Sequence, residues 1–112
     1  MKISDFGTTV RRQGDSAVVV LRGELDSDTA QAVLDAGDRA LATAPTTVCL
    51  DCAGLTFFGS AGIRTLLDLR DACHAKNAAF RLVATPRRVL RPLEITGVLG
   101  EFVIDRDVPA AC

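Results

Sequence analysis

The chain has 112 residues, a length that fits one domain. Hydrophobic residues make up 48% and charged residues 24%, a globular mixture that excludes global disorder. Thirteen basic and fourteen acidic residues leave a net charge of -1, which argues against a protein built to coat nucleic acid or an anionic membrane.

Taken in chain order, a strand near Phe6–Arg12 is expected to pair with the next across Gln13-Gly14-Asp15. Val18-Val19-Val20-Leu21 is β-branched and continuous, which predicts a buried strand, and Gly23 is read as its end. Ser27-Asp28-Thr29 carries N-cap chemistry. Ala30, Val33, Leu34, Gly37, Ala40 and Leu41 then recur at spacings of three and four, the pattern of a helix packed by one face. Thr46–Cys52 predicts a central strand, and Gly54–Gly59 a loop. Ser60 precedes a second helix carrying Ile63, Leu66, Leu67, Arg70 and Cys73. Phe80–Ala84 predicts a strand. Pro86 can open a third helix with Val89, Leu90 and Leu93 inward, and Gly97 can stop it. Gly100–Ile104 predicts a last short strand. Strands alternating with helices in this order imply an α/β fold, a mixed sheet with helices packed on it.

The longest aliphatic run, Ala17–Leu21, is far too short for a bilayer span, and the first residues hold no apolar stretch of signal-peptide length. The expected location is cytoplasmic, with the four cysteines as thiols. Tyr and Trp are absent, which removes the stacking platform of a single-strand nucleic-acid binder. Charge is uneven: Glu24–Asp38 holds five acids and no base. Such a patch suits a basic partner, or is simply a solvated helix face.

Cys49 and Cys52 match C-x-x-C, but on a strand positions three apart point to opposite faces. One metal cannot take both, and Cys73-His74 completes no tetrahedral site, so no metal and no cofactor are expected. Cys73 and Cys112 are left as candidate redox thiols that could pair under oxidation. Gly54–Ser60 has the glycine spacing of a phosphate loop without its lysine. Gly59-Ser60-Ala61-Gly62 is a near miss to a nucleophile elbow. The chain's one histidine, His74, would lie about 21 Å from Ser60 along a shared helix, so no Ser–His dyad forms. Asp51, closing a strand below Ser60, suits a hydrogen bond to loop backbone. Ser60 itself suits an N-cap. The same place also suits a phosphate, since a helix start offers free N–H groups and a positive dipole end.

Gly23-Glu24-Leu25-Asp26 followed by Thr29-Ala30, and then Leu55 through Ile63, resembles the STAS domain, and more narrowly the bacterial anti-sigma factor antagonists. The resemblance runs from about Val18 to Ile104 and includes Thr85-Pro86 and Gly97. It implies a single STAS-like domain over 1–112, with a core near 5–105 and a C-terminal tail at 106–112. The implied sheet is mixed and four- to five-stranded, with helices mainly on one face.

It further implies a non-enzymatic switch that binds an anti-sigma factor, itself a GHKL-type serine kinase, and thereby frees a sigma factor. The phospho-acceptor serine of the family falls on Ser60, and a phosphatase of the PP2C type would restore it. The implied partner surface is Glu24, Asp26, Thr29, Gly59, Ser60, Ala61, Gly62, Ile63 and Arg64. Two positions depart from the family pattern. Gly59 stands where the family has Asp, and Ala61 where it has a second hydroxyl residue. They keep a second reading open: a non-phosphorylated STAS scaffold or regulatory subunit, in a lipid-transport ABC complex or a stress-sensing assembly. A thiol redox enzyme using Cys49 and Cys52 is a third. The oligomeric state is open.

Overall fold

The hairpin expected across Gln13-Gly14-Asp15 forms, with Gly14 at φ 62, a backbone angle that suits glycine. It joins β1 (Gly7–Gln13) to β2 (Ser16–Leu25) in a computed structural model that describes residues 6–105. Then follow α1 (Ala30–Leu41), β3 (Thr47–Phe58), α2 (Ser60–Ala75), β4 (Ala79–Val83), α3 (Arg87–Ile95) and β5 (Val103–Asp105). The tail assigned to 106–112 lies outside the described residues.

The strands form one five-stranded sheet in the order β1-β2-β3-β4-β5. β1 and β2 are antiparallel, and each later neighbour is parallel. Every parallel step moves in the same direction across the sheet, and crossovers are right-handed, so α1, α2 and α3 share one face. The main core lies there. Val19, Leu21, Val48, Leu50 and Leu82 of the sheet meet Val33, Ala36, Leu66, Leu69, Val89 and Leu93 of the helices. Leu50, between Val19 and Leu82 in register, is fully buried. At about 25 cal/mol per Å² of apolar area, this layer is the dominant favourable contribution to folding.

Three boundaries differ from the sequence reading. Gly23 does not end β2. It sits inside the strand at φ 102, beside a shift in the β2–β3 register, and the strand runs on to Leu25. Gly54–Phe58 is strand rather than loop, because β2 continues alongside and supplies the ladder. The segment from Gly100 divides into a 3-10 turn at Leu99–Glu101 and the short β5. Pro86 is the N-cap of α3, and Pro92 lies inside that helix without ending it. Among the described residues no helix is long and apolar enough to cross a membrane.

Candidate functional site

Two motifs separated by some thirty residues of sequence become neighbours at the C-terminal end of the sheet. Glu24 pairs with Phe57 and Leu25 with Phe58 across the β2–β3 ladder, and Gly59 N–H donates to Leu25 O at 3.4 Å. Beyond Gly59 the chain turns directly into α2, so Ser60 emerges beside the Gly-Glu-Leu-Asp turn.

The turn is fastened by Asp26. Its Oδ1 accepts the N–H of Asp28 at 2.9 Å and of Thr29 at 3.2 Å. Thr29 Oγ1 donates to Glu24 O at 2.7 Å and accepts from Asp26 N–H at 3.0 Å. Thr29 holds the N-cap position of α1, but its side chain makes no cap bond. Thr29 thus caps by position only, and the side-chain hydrogen bonds here are made by Asp26 to the turn before the helix. This leaves the Glu24 side chain exposed, while Leu25 is buried under the site.

Ser60 is the first residue of α2 and is exposed. The N-cap is Gly59, at φ -108 and ψ -168, with no side-chain cap bond, so the capping role considered for Ser60 is not the one it has. Gly59 O accepts from Gly62 N–H at 2.9 Å and Ile63 N–H at 3.3 Å, and the amides before them, of Ser60 and Ala61, precede the first intrahelical acceptor. Gly62 is buried. A Cβ there would lie 2.6 Å from the Phe58 ring and 3.3 Å from Leu25 Cγ, so this glycine lets α2 settle onto β2 and β3 instead of offering contact area. Arg64 is exposed and pairs with Asp68 at 3.3 Å. Ala61 and Ile63 are half-buried. The expected surface residues are thus gathered at one place, with Gly62 beneath it.

Two residues at this end were not singled out from the sequence. Phe57 is 48% exposed, a large apolar ring standing next to Gly59. The Phe-Phe pair was the signal, since adjacent strand residues face opposite ways. Arg88 of α3 donates Nη1–H to Leu55 O at 2.8 Å, tying β3 where it has run past β4. Asp51 accepts from Ala53 N–H at 3.0 Å, the backbone role expected of it, though on a strand that continues to Phe58.

The competing chemistries have no geometry. Cys49 belongs to the sheet face away from the helices, and Cys52 to the helix-side core. Burial, aided by the Asp51 charge and opposed by a Thr85 hydrogen bond, pushes the Cys52 thiol up to about 12. Burial pushes Cys73 up to about 11. Neither is a ready thiolate. Cys73 carries a free thiol, and Cys112, its candidate partner under oxidation, lies outside the described residues. His74 lies in the last turn of α2, at the opposite end from Ser60. Among the described residues no three His, Cys, Asp or Glu side chains group as metal ligands.

A solved anti-sigma factor antagonist from Mycobacterium paratuberculosis is 27% identical, covers 93% of this chain and 88% of its own, and superposes with a TM-score of 0.83. The unphosphorylated anti-sigma factor antagonist SpoIIAA has 23% identity, coverage of 89% and 86%, and a TM-score of 0.70. A sulfate transporter family protein from Wolinella succinogenes has 16% identity, coverage of 87% and 81%, and a TM-score of 0.72. The last two show likeness of fold alone. No curated protein matches the chain. A family model described as Mlab, STAS domain matches residues 8–104. With that match spanning nearly the whole chain, the protein belongs to the STAS domain family.

Proposed function

We propose that this protein is an anti-sigma factor antagonist whose docking surface centres on Ser60, and that phosphorylation of Ser60 switches it off. The observation that carries the reading is Ser60 itself: an exposed hydroxyl on the first residue of a helix, flanked by the Asp26-fastened turn and the exposed Phe57 ring. Its likeness to the mycobacterial antagonist supports the role. The partner is a GHKL-type anti-sigma factor that is also the serine kinase, and a PP2C-type phosphatase reverses the modification. The remaining surface is Glu24, Asp26, Thr29, Gly59, Ala61, Ile63 and Arg64, with Gly62 setting its shape.

The physics of the switch follows from the helix start. A phosphate adds about -1.5 to -2 charges. The first amides and the dipole of α2 can receive that charge without unfolding the helix. A docked partner, however, has to desolvate it against Phe57 and beside the acidic turn, which opposes binding. Gly59 and Ala61 supply neither carboxylate nor hydroxyl next to Ser60. Recognition of the target serine then rests on the docking surface.

The test is titration of a panel of GHKL-type anti-sigma factors with wild type, Ser60→Ala and Ser60→Asp. Ser60→Ala is expected to bind like wild type and to take no phosphate. Ser60→Asp is expected to bind about tenfold more weakly or worse, a cost of about 1.4 kcal/mol. Equal affinity for all three and for authentic phosphoprotein would end the electrostatic switch. No complex with any member would end the antagonist reading.

Gly59, Ala61 and the Mlab description of the family model favour a second reading, an unphosphorylated STAS subunit of a transport or scaffold assembly. Intact mass of the chain captured from its cell, with identification of what comes with it, separates the two. A kinase and a phosphate on Ser60 mark the antagonist, and an ATPase or permease without phosphate marks the subunit.

A further inference from the structure

Three helices start at the same end of the sheet, and their starts differ in charge. β2, β3 and β4 lie side by side, and α1, α2 and α3 each begin beyond the C-terminal end of the strand before. Glu24, Asp26 and Asp28 precede α1, Ser60 opens α2, and Arg87 and Arg88 open α3. Ser60 therefore stands between an acidic flank and a basic one.

The basic flank is not neutralised. Arg64 holds Asp68, Arg70 holds Asp71 and Glu101, and Arg81 holds Asp105. Among the described residues Arg87, Arg88 and Arg91 have no carboxylate partner, and all three are exposed. Arg87 and Arg91, four apart on one helix, repel each other, and the positive dipole end of α3 opposes both Arg87 and Arg88. The cluster therefore costs the fold stability, and its use lies outside the fold.

Helical spacing puts Arg88, Arg91 and Ile95 on one outward stripe, away from the buried Val89 and Leu93. Ile95 is 71% exposed. The stripe adjoins the Ser60 site. Arg88 gives one N–H to Leu55 O, two residues and about 7 Å along β3 from the exposed Phe57.

We propose that Arg87, Arg88, Arg91 and Ile95 form the second half of the docking surface, and that they take an acidic segment of the anti-sigma factor with an apolar side chain set among its carboxylates. The inference rests on the antagonist reading of Ser60. Planar guanidinium forks suit carboxylates because they can bind both oxygens. The apolar side chain covers Ile95, which otherwise stays in water. Glu24 and Asp28 lie on the other flank, so only one orientation of the partner sets opposite charges together at both ends. The two flanks thus fix how the partner lies over Ser60.

The test uses the full-length protein and the GHKL-type anti-sigma factor that binds wild type, at about 0.01 M and about 0.15 M salt, where screening lengths are about 30 and 8 Å. Arg87→Glu/Arg91→Glu is expected to bind about tenfold or more weakly at the lower salt, and the gap to narrow at the higher. Arg87→Lys/Arg91→Lys, which keeps the charge, is expected to bind closer to wild type than the reversal does. Ile95→Ser is expected to weaken binding to a similar extent at both salts. Unchanged far-UV dichroism separates loss of docking from loss of fold. Wild-type affinity in the charge reversal, with Ser60→Asp still weakened, would overturn this inference and leave the antagonist reading standing. No complex with any anti-sigma factor would end both. Two other occupants would also overturn it, each with affinity for the anti-sigma factor unchanged. One is a second copy, seen as a wild-type dimer in sedimentation that the reversal dissociates. The other is a membrane, seen as binding to vesicles of anionic phosphatidylglycerol that the reversal abolishes.

Discussion

At the scale of single residues, Cys52 shows how burial becomes a pH dependence. Its thiol is raised from an ordinary 9.0 to about 12, and that of Cys73 to about 11, in both cases chiefly by burial. The unfolded chain releases these protons near pH 9, while the folded chain keeps them. Stability is therefore full below pH 9 and falls as the pH rises toward the folded values. In urea unfolding of Cys52→Ala, the slope of stability between pH 9 and 11 is expected to shrink by about 1.4 kcal/mol per pH unit. An unchanged slope would mean that Cys52 ionises freely in the folded protein. The opposed faces of Cys49 and Cys52 were legible from strand alternation alone. The depth at which Gly62 lies was not, because it depends on the Phe58 ring that meets it across the loop.

At the scale of elements, the Asp26 turn carries the entry to α1. Its carboxylate satisfies two backbone N–H groups just before the helix. Asp26→Ala is expected to cost about 1 kcal/mol in urea unfolding, while Asp26→Asn, which keeps the accepting oxygen, costs only a few tenths. Equal losses would show that the charge and not the hydrogen bond matters. The helices were readable from apolar spacing. Strand ends were less so: β2 and β3 extend past the glycines that appeared to stop them. Gly23 and Gly54 read as punctuation, yet here they permit a bulged ladder. A Cβ on Gly54 would lie 2.7 Å from Leu21 O, and Gly23 takes a positive φ.

At the scale of the whole molecule, one helix-covered core makes the fold a single cooperative unit. Leu50, on the central strand β3, is fully buried in that layer. Leu50→Ala is expected to lose about 2–5 kcal/mol, with far-UV dichroism and core-side probes still melting together. Separate transitions would indicate that the β1–β2 hairpin and the α3–β5 end unfold on their own.

The sequence by itself determined the alternating order of strands and helices, the apolar faces, the serine at the start of the second helix and the family resemblance. Those properties follow from periodicity and local chemistry, which act over a few residues. Tertiary structure decided that Glu24 lies beside Phe57, that Phe57 faces solvent, and that Val18, Cys49 and Val83 are buried on the sheet face away from the helices. These rest on register and on contacts between distant segments, and no local pattern encodes which strand lies beside which.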